Sequence, residues 1–139
     1  MTIRPEIASV FRARGLRVTP QRALVWRLVR EMGADHPSAE ALHVRATREM
    51  PSLSLRTVYA ILDELEALQA IRSIDLGTGS KRFCVNPARH QHLVCDRCGK
   101  IKDVFVPVET VEIPPEQRQG FVITRQDVIF RGLCAECRA

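Results

Sequence analysis

Four of the five cysteines in this 139-residue chain fall in two pairs, Cys95-Asp-Arg-Cys98-Gly-Lys and Cys134-Ala-Glu-Cys137. Two intervening residues let a chain turn back so that both sulfurs meet one ion. Gly99 can adopt the positive φ that turns backbone N–H groups toward those sulfurs. Four thiolates suit a tetrahedral, redox-inert zinc ion with no open position, so the expected site is structural. The same residues admit two other readings, a pair of dithiol redox centres or unrelated core cysteines. A redox CxxC usually opens a helix in a βαβ unit, and neither pair has that setting.

A second constellation gathers Cys84, His90, His92 and Asp103, with His36 upstream beside Pro37. His90 and His92 lie one residue apart on a β-like segment and so point the same way. Singly, each has a bland reading: a surface or satisfied core histidine, an exposed acid, a small buried thiol. Together, a thiol, imidazoles and a carboxylate fit a first-row transition metal, and the thiolate tilts the preference toward zinc. A catalytic zinc or a Cys/His nucleophile would use similar residues. No HExxH helix, oxyanion hole or pocket signature accompanies them, so no enzymatic activity is expected.

The elements that must position these groups divide the chain. Ile3, Ile7, Val10 and Phe11 recur at helical spacing up to Gly15, and Pro20 opens a second helix with Ala23, Leu24, Trp26, Leu28 and Val29. Ser38 caps a third helix, which stops by Pro51. Ser54 caps a fourth, whose stripe is Leu55, Val58, Ile61, Leu62 and Leu65. Two short β-prone runs follow. This is the parts list of a winged helix, with residues 54–68 as recognition helix and 71–85 as wing. The expected architecture is α+β: a winged-helix DNA-binding domain over 1–85, a hinge at 86–91, and a small zinc-stapled domain over 92–139. In the last, LVC, KIKDVFVPV and FVITRQDVIF read as strands. About 50 residues is a size at which a metal or oligomerisation usually supplements the core.

The formal charge of +5 permits a polyanion partner. Four cysteinates around one divalent ion would lower it to about +3. Arg4, Arg12, Arg14, Arg17, Arg22, Arg27 and Arg30 stand against the single acid Glu6 in the first 30 residues, so the basic character is concentrated there. No apolar run approaches the ~20 residues of a membrane span, and the N-terminus does not read as a secretory signal. The expected location is cytoplasmic, where cysteines serve metals or redox chemistry rather than disulfides.

At four places the chain resembles the ferric uptake regulator family. Arg17-Val-Thr19-Pro-Gln-Arg22 is similar to the R-x-T-x-Q-R opening of its second helix. Ser54-Leu-Arg56-Thr57-Val-Tyr59 resembles the start of its recognition helix. His90-Gln-His92-Leu-Val-Cys95 matches H-x-H-x-x-C, and the CxxCGK and late CxxC complete the pattern. The resemblance implies a homodimeric, metal-dependent repressor of palindromic double-stranded DNA operators. Arg17, Thr19, Arg22, Arg56, Thr57 and Tyr59 are then the expected DNA-contacting residues. Such a helix N-terminus enters the major groove, where Arg meets phosphate and Thr or Tyr reaches base edges.

Carried over by position, His36, Cys84, His90, His92 and Asp103 fall on the regulatory site of the peroxide-sensing branch, which binds Fe2+ or Mn2+. That branch has aspartate where this chain has Cys84. A cysteine followed by five residues and H-x-H resembles the zinc-uptake branch instead, so zinc sensing is the alternative. A zinc-stapled thiol redox protein is the alternative from another class. Ala60 replaces an Arg common in the family. Gln126 stands where an additional His ligand is frequent. Pro114 and Pro115 fall where a dimerisation helix usually runs, so that helix must be short, start after them or be absent, leaving dimerisation to strands.

Overall fold

The hydroxyl of Thr19, on extended backbone, accepts from the Arg22 N–H at 3.2 Å and so caps the first turn of a helix that begins at Pro20. Ser38 and Ser54 do the same for the next two helices, accepting from the N–H groups of Ala41 and Thr57. The computed structural model describes residues 5–75, 77, 80–85 and 90–139, the side chains of 5–7 and 10 excepted. Four helices follow in order: α1 (Pro5–Ala13), α2 (Pro20–Met32), α3 (Ala39–Ala46) and α4 (Leu55–Ala67). α1 ends before Gly15, whose φ of +73° a side-chain-bearing residue rarely adopts. The expected roles of Ile3, Ile7 and Val10 lie outside the described residues and side chains.

Phe11 of α1, Leu28 and Val29 of α2, Leu42 of α3 and the α4 stripe of Val58, Ile61, Leu62 and Leu65 form one buried core. Two strands, β1 (Arg72–Ile74) and β2 (Arg82–Cys84), pair antiparallel with Ser73 opposite Phe83, and Phe83 joins the core. The Ser73 N–H and hydroxyl both donate to the Glu66 carboxylate, tying β1 to α4. Arg22 ties α2 to α4: its Nε lies 2.8 Å from Glu64 Oε2, and Nη2 donates to Oε1 at 3.1 Å. These are the elements of a winged helix.

The chain divides into two compact units, Met1–Ala88 and Arg89–Ala139. Of the hinge expected at 86–91, residues 86–89 lie outside the described set, and Gln91 already opens a strand. The second unit holds three strands in the order β4-β3-β5, with β3 (Gln91–Cys95) between β4 (Ile101–Val104) and β5 (Ile129–Gly132). β3 runs antiparallel to β4 and parallel to β5.

Two expected strands are therefore much shorter than their hydrophobic runs. β4 stops at Val104 because Val104 faces Gln91, the first residue of β3. Residues 105–109 run past the end of their partner. β5 begins only at Ile129, opposite His92, because 121–127 precede the start of β3 in the same way. Between them, Pro115–Gln117 form a single 3-10 turn, and no α-helix follows the prolines among the described residues. Gln126 accepts from the Val111 N–H at 2.7 Å and donates to the Glu109 carbonyl at 3.2 Å, a tie between segments rather than a ligand position. Phe105, Val111, Phe121 and Val122 stand exposed, Val122 at 86%. Among the described residues no helix is long and apolar enough to cross a membrane.

Candidate metal centres and nucleic-acid interface

Parallel pairing of Cys95 with Gly132 brings the end of β3 beside the residues that follow β5, and this register assembles the four-cysteine group. After Cys95 the chain turns through Gly99, whose φ is +77°, with the Gly99 N–H donating to the Cys95 carbonyl at 2.9 Å. The N–H groups of Cys98 and Cys134 point at Cys95 Sγ from 3.5 and 3.4 Å. Cys98 Sγ and Cys134 Sγ are 3.7 Å apart, and all four sulfurs lie within 4.8 Å of one another. A zinc–sulfur bond of about 2.3 Å implies tetrahedral edges of roughly 3.8 Å, so the donor set fits zinc. The Cys98 and Cys134 amides hold the Cys95 thiol down at about 6, whereas hydrogen bonding to Cys134 and then burial push Cys137 up to about 12. Sulfurs this close cannot all ionise without a cation among them.

The second group is built on the antiparallel pair. His92 faces Asp103 across β3 and β4, and His90, two residues before, lies on the same face. His90 Nε2 is 3.1 Å and His92 Nε2 3.5 Å from Asp103 Oδ1. The imidazole centroids are 4.6 Å apart, and Phe105 covers His90 at 5.4 Å. Donor separations of about 3.0–3.5 Å are the edges expected around a metal bonded at roughly 2.1 Å. The His90 side chain is 2% exposed and Asp103 25%, so the cluster opens to solvent on its carboxylate side.

His36 and Cys84 belong to the first unit and are both buried. His36 follows a 3-10 turn at Gly33–Asp35 and has a φ of +49°, uncommon for a residue with a side chain. The 36–37 segment lies alongside β2: Phe83 N–H donates to the Pro37 carbonyl at 3.0 Å, and Arg82 Nη1 to the His36 carbonyl at 3.1 Å. Cys84, the last residue of β2, is therefore next to this segment.

Of the expected DNA-contacting residues, Arg17, Arg56 and Tyr59 are exposed, and Thr57 is half-buried at the start of α4. Ser54 donates its hydroxyl proton to Thr57 Oγ1 at 2.9 Å, leaving the Thr57 proton to serve an outside acceptor. Two of the expected residues also make contacts within the unit. The Arg22 guanidinium is engaged by Glu64 and by the Arg17 carbonyl at 2.7 Å, and the Thr19 hydroxyl is engaged as a cap. Arg22 thereby braces α4 through Glu64, and Thr19 fixes the start of α2. Sequence reasoning missed Glu40, whose Oε1 accepts the Tyr59 hydroxyl at 2.6 Å. Nothing in a chain separation of 19 residues signals that contact.

The profile of the Ferric uptake regulator family matches residues 13–131. The chain belongs to that family. A peroxide-responsive repressor, PerR, from Staphylococcus epidermidis is 31% identical over 133 residues, spanning 95% of this chain and 87% of that protein. The Helicobacter pylori ferric uptake regulator Fur superposes with a TM-score of 0.75 at 21% identity, covering 96% of this chain and 90% of that one. A zinc uptake regulator complexed with zinc and DNA gives 0.66 at 24% identity, covering 96% and 91%. These likenesses carry the winged-helix fold with its appended small domain. As a member of the Ferric uptake regulator family, the chain is a metal-responsive transcriptional regulator and not an enzyme. The dithiol redox reading of the CxxC pairs gives way to it.

Proposed function

We propose that this regulator is a peroxide-responsive repressor in the cytoplasm, binding a palindromic operator as a homodimer. His36, Cys84, His90, His92 and Asp103 are its regulatory metal ligands, Fe2+ or Mn2+ its regulatory ion, and Cys95, Cys98, Cys134 and Cys137 its structural zinc ligands. Residues 1–85 read DNA, 86–91 form the hinge, and 92–139 pair the protomers. The single observation that carries the reading is the pair of imidazoles converging on one oxygen of Asp103, at 3.1 and 3.5 Å. Two nitrogens and a carboxylate suit first-row ions such as iron and manganese. Ferrous iron, when bound, supplies the electrons that reduce peroxide. The similarity to peroxide-responsive repressors adds support.

The chain's own residues supply the coupling. His92 is held on β3 with His90 immediately before it, while His36 and Cys84 are held by the 36–37 segment and β2. An ion that joins them favours one arrangement of the DNA-reading unit, and operator affinity rises by the difference in metal affinity between arrangements. The runs at 105–113 and 121–128 belong to no strand of this chain and offer exposed apolar side chains to a second copy. Two-fold pairing matches two half-sites about one helical turn apart.

One observation favours a second reading. Cys84 is a buried thiol, and a thiolate among the ligands raises preference for zinc, so zinc sensing is the rival. Operator binding under anaerobic iron, manganese and zinc, followed by peroxide, separates them. Peroxide responsiveness predicts binding with iron and manganese, and loss after peroxide for the iron form. Binding with zinc alone, indifferent to peroxide, would establish the rival.

A further inference from the structure

Tyr59 stands on the exposed side of α4, one turn from its N-terminus, 39% exposed and off the buried stripe. A phenol carries one proton and two lone pairs, so a free tyrosine can donate to guanine or thymine oxygens as readily as it accepts from amino groups. Here the proton is committed. The hydroxyl donates to Glu40 Oε1 at 2.6 Å, the short distance of a charge-assisted bond. Glu40 lies in the first turn of α3, where the helix dipole favours a negative charge. The Tyr59 hydroxyl and Glu40's own backbone hold its carboxyl below the usual carboxylate range. The acceptor is therefore anionic at neutral pH.

From this geometry we propose that Glu40 is a specificity-determining residue. By taking the phenol's only proton it makes Tyr59 an acceptor toward DNA, so that Tyr59 selects a base presenting an exocyclic amino group in the major groove, adenine N6 or cytosine N4. This rests on the DNA-reading role assigned to α4 above. The first turn of α4 then divides its labour. Arg56 and the free proton of Thr57 serve acceptors such as phosphate oxygens, and the Tyr59–Glu40 pair serves donors. Glu40 is a positioning residue here, because it acts through Tyr59.

The experiment measures affinity of the metal-loaded full-length protein for the operator and for duplexes changed singly at each half-site position, in wild type, Glu40→Ala, Glu40→Gln, Tyr59→Phe and the Glu40→Ala/Tyr59→Phe double variant. At one position wild type is expected to favour an amino-bearing base. Glu40→Ala is expected to relax that preference about fivefold, roughly the worth of one hydrogen bond, with the salt slope unchanged. Glu40→Gln, which retains an acceptor oxygen, restores most of it, and in the Tyr59→Phe background Glu40→Ala has no further effect. A Glu40→Ala protein whose base preference is unaltered, or which loses affinity equally for every duplex, overturns the assignment. If the wild-type protein binds no DNA at all, the operator-binding reading itself fails, and this inference fails with it.

Discussion

Asp103 is the residue on which the second metal centre turns. Its Oδ1 is the point both imidazoles approach, and β4 is the only element that brings a carboxylate opposite His92 in the described sheet. Replacing His90 with Ala is expected to remove metal-dependent operator affinity by roughly 5- to 150-fold, the usual span of a coupling between two sites. Fluorescence of the one tryptophan, Trp26, buried in the helical core, should stay unchanged. A Cys84→Ser protein tests the thiolate as a ligand: zinc affinity should then fall far more than manganese affinity. Isothermal titration of each metal measures it. Glu40 adds a pH signature. Its carboxyl is held low in the folded chain, so its contribution is present above the ordinary carboxylate pKa and is lost as pH falls through the lower folded value. Urea midpoints of wild type and Glu40→Gln should therefore converge in acid.

At the scale of elements, α4 is held in place by three independent devices. Ser54 caps it, Arg22 clamps Glu64 on its buried-facing flank, and Glu66 holds the first strand of the wing. Loss of the Ser54 cap by substitution to Ala is expected to cost about 1 kcal/mol, read from urea unfolding followed at Trp26. Operator affinity should fall with it, since the same substitution frees Thr57. In the second unit the strands are limited by β3. Because β3 starts at Gln91, neither neighbour can pair beyond Val104 or before Val128, whatever its hydrophobicity. The apolar residues stranded on either side are thus a consequence of strand length, and a partner strand is what would satisfy them.

For the molecule as a whole, the two units differ in what holds them. The first has a core drawn from all four helices and the wing. The second buries only Val94, Cys95 and Ile101 among its described apolar residues, too little for about 50 residues to stand without support. Stripping zinc with a strong chelator is expected to unfold or dissociate the second unit while Trp26 continues to report a folded first unit. Size-exclusion chromatography with parallel fluorescence tests both halves of that expectation. Acid should act likewise, because protons compete for thiolates. Zinc binding needs every sulfur deprotonated, so affinity drops as pH falls, with Cys95 the first to ionise, at about 6, and the last to reprotonate in the metal-free site.

The sequence by itself determined the helices and the four-cysteine cluster, because their signals are local. Caps precede Pro20, Ala39 and Leu55 by one residue, the apolar stripe of α4 repeats every three or four, and a CxxC pair is already shaped to hold an ion. The H-x-H pair was legible for the same reason, as alternation along a strand puts both rings on one face. Tertiary structure decided what depends on register and on distant partners. The ends of β4 and β5 follow from where β3 begins, which no hydrophobic run in those segments encodes. The duties of Arg22 and Tyr59 follow from Glu64 and Glu40, carboxylates 42 and 19 residues away along the chain. A side chain's pairing is settled by whichever group the packed helices bring within 3 Å, and that choice exists only once the core has formed.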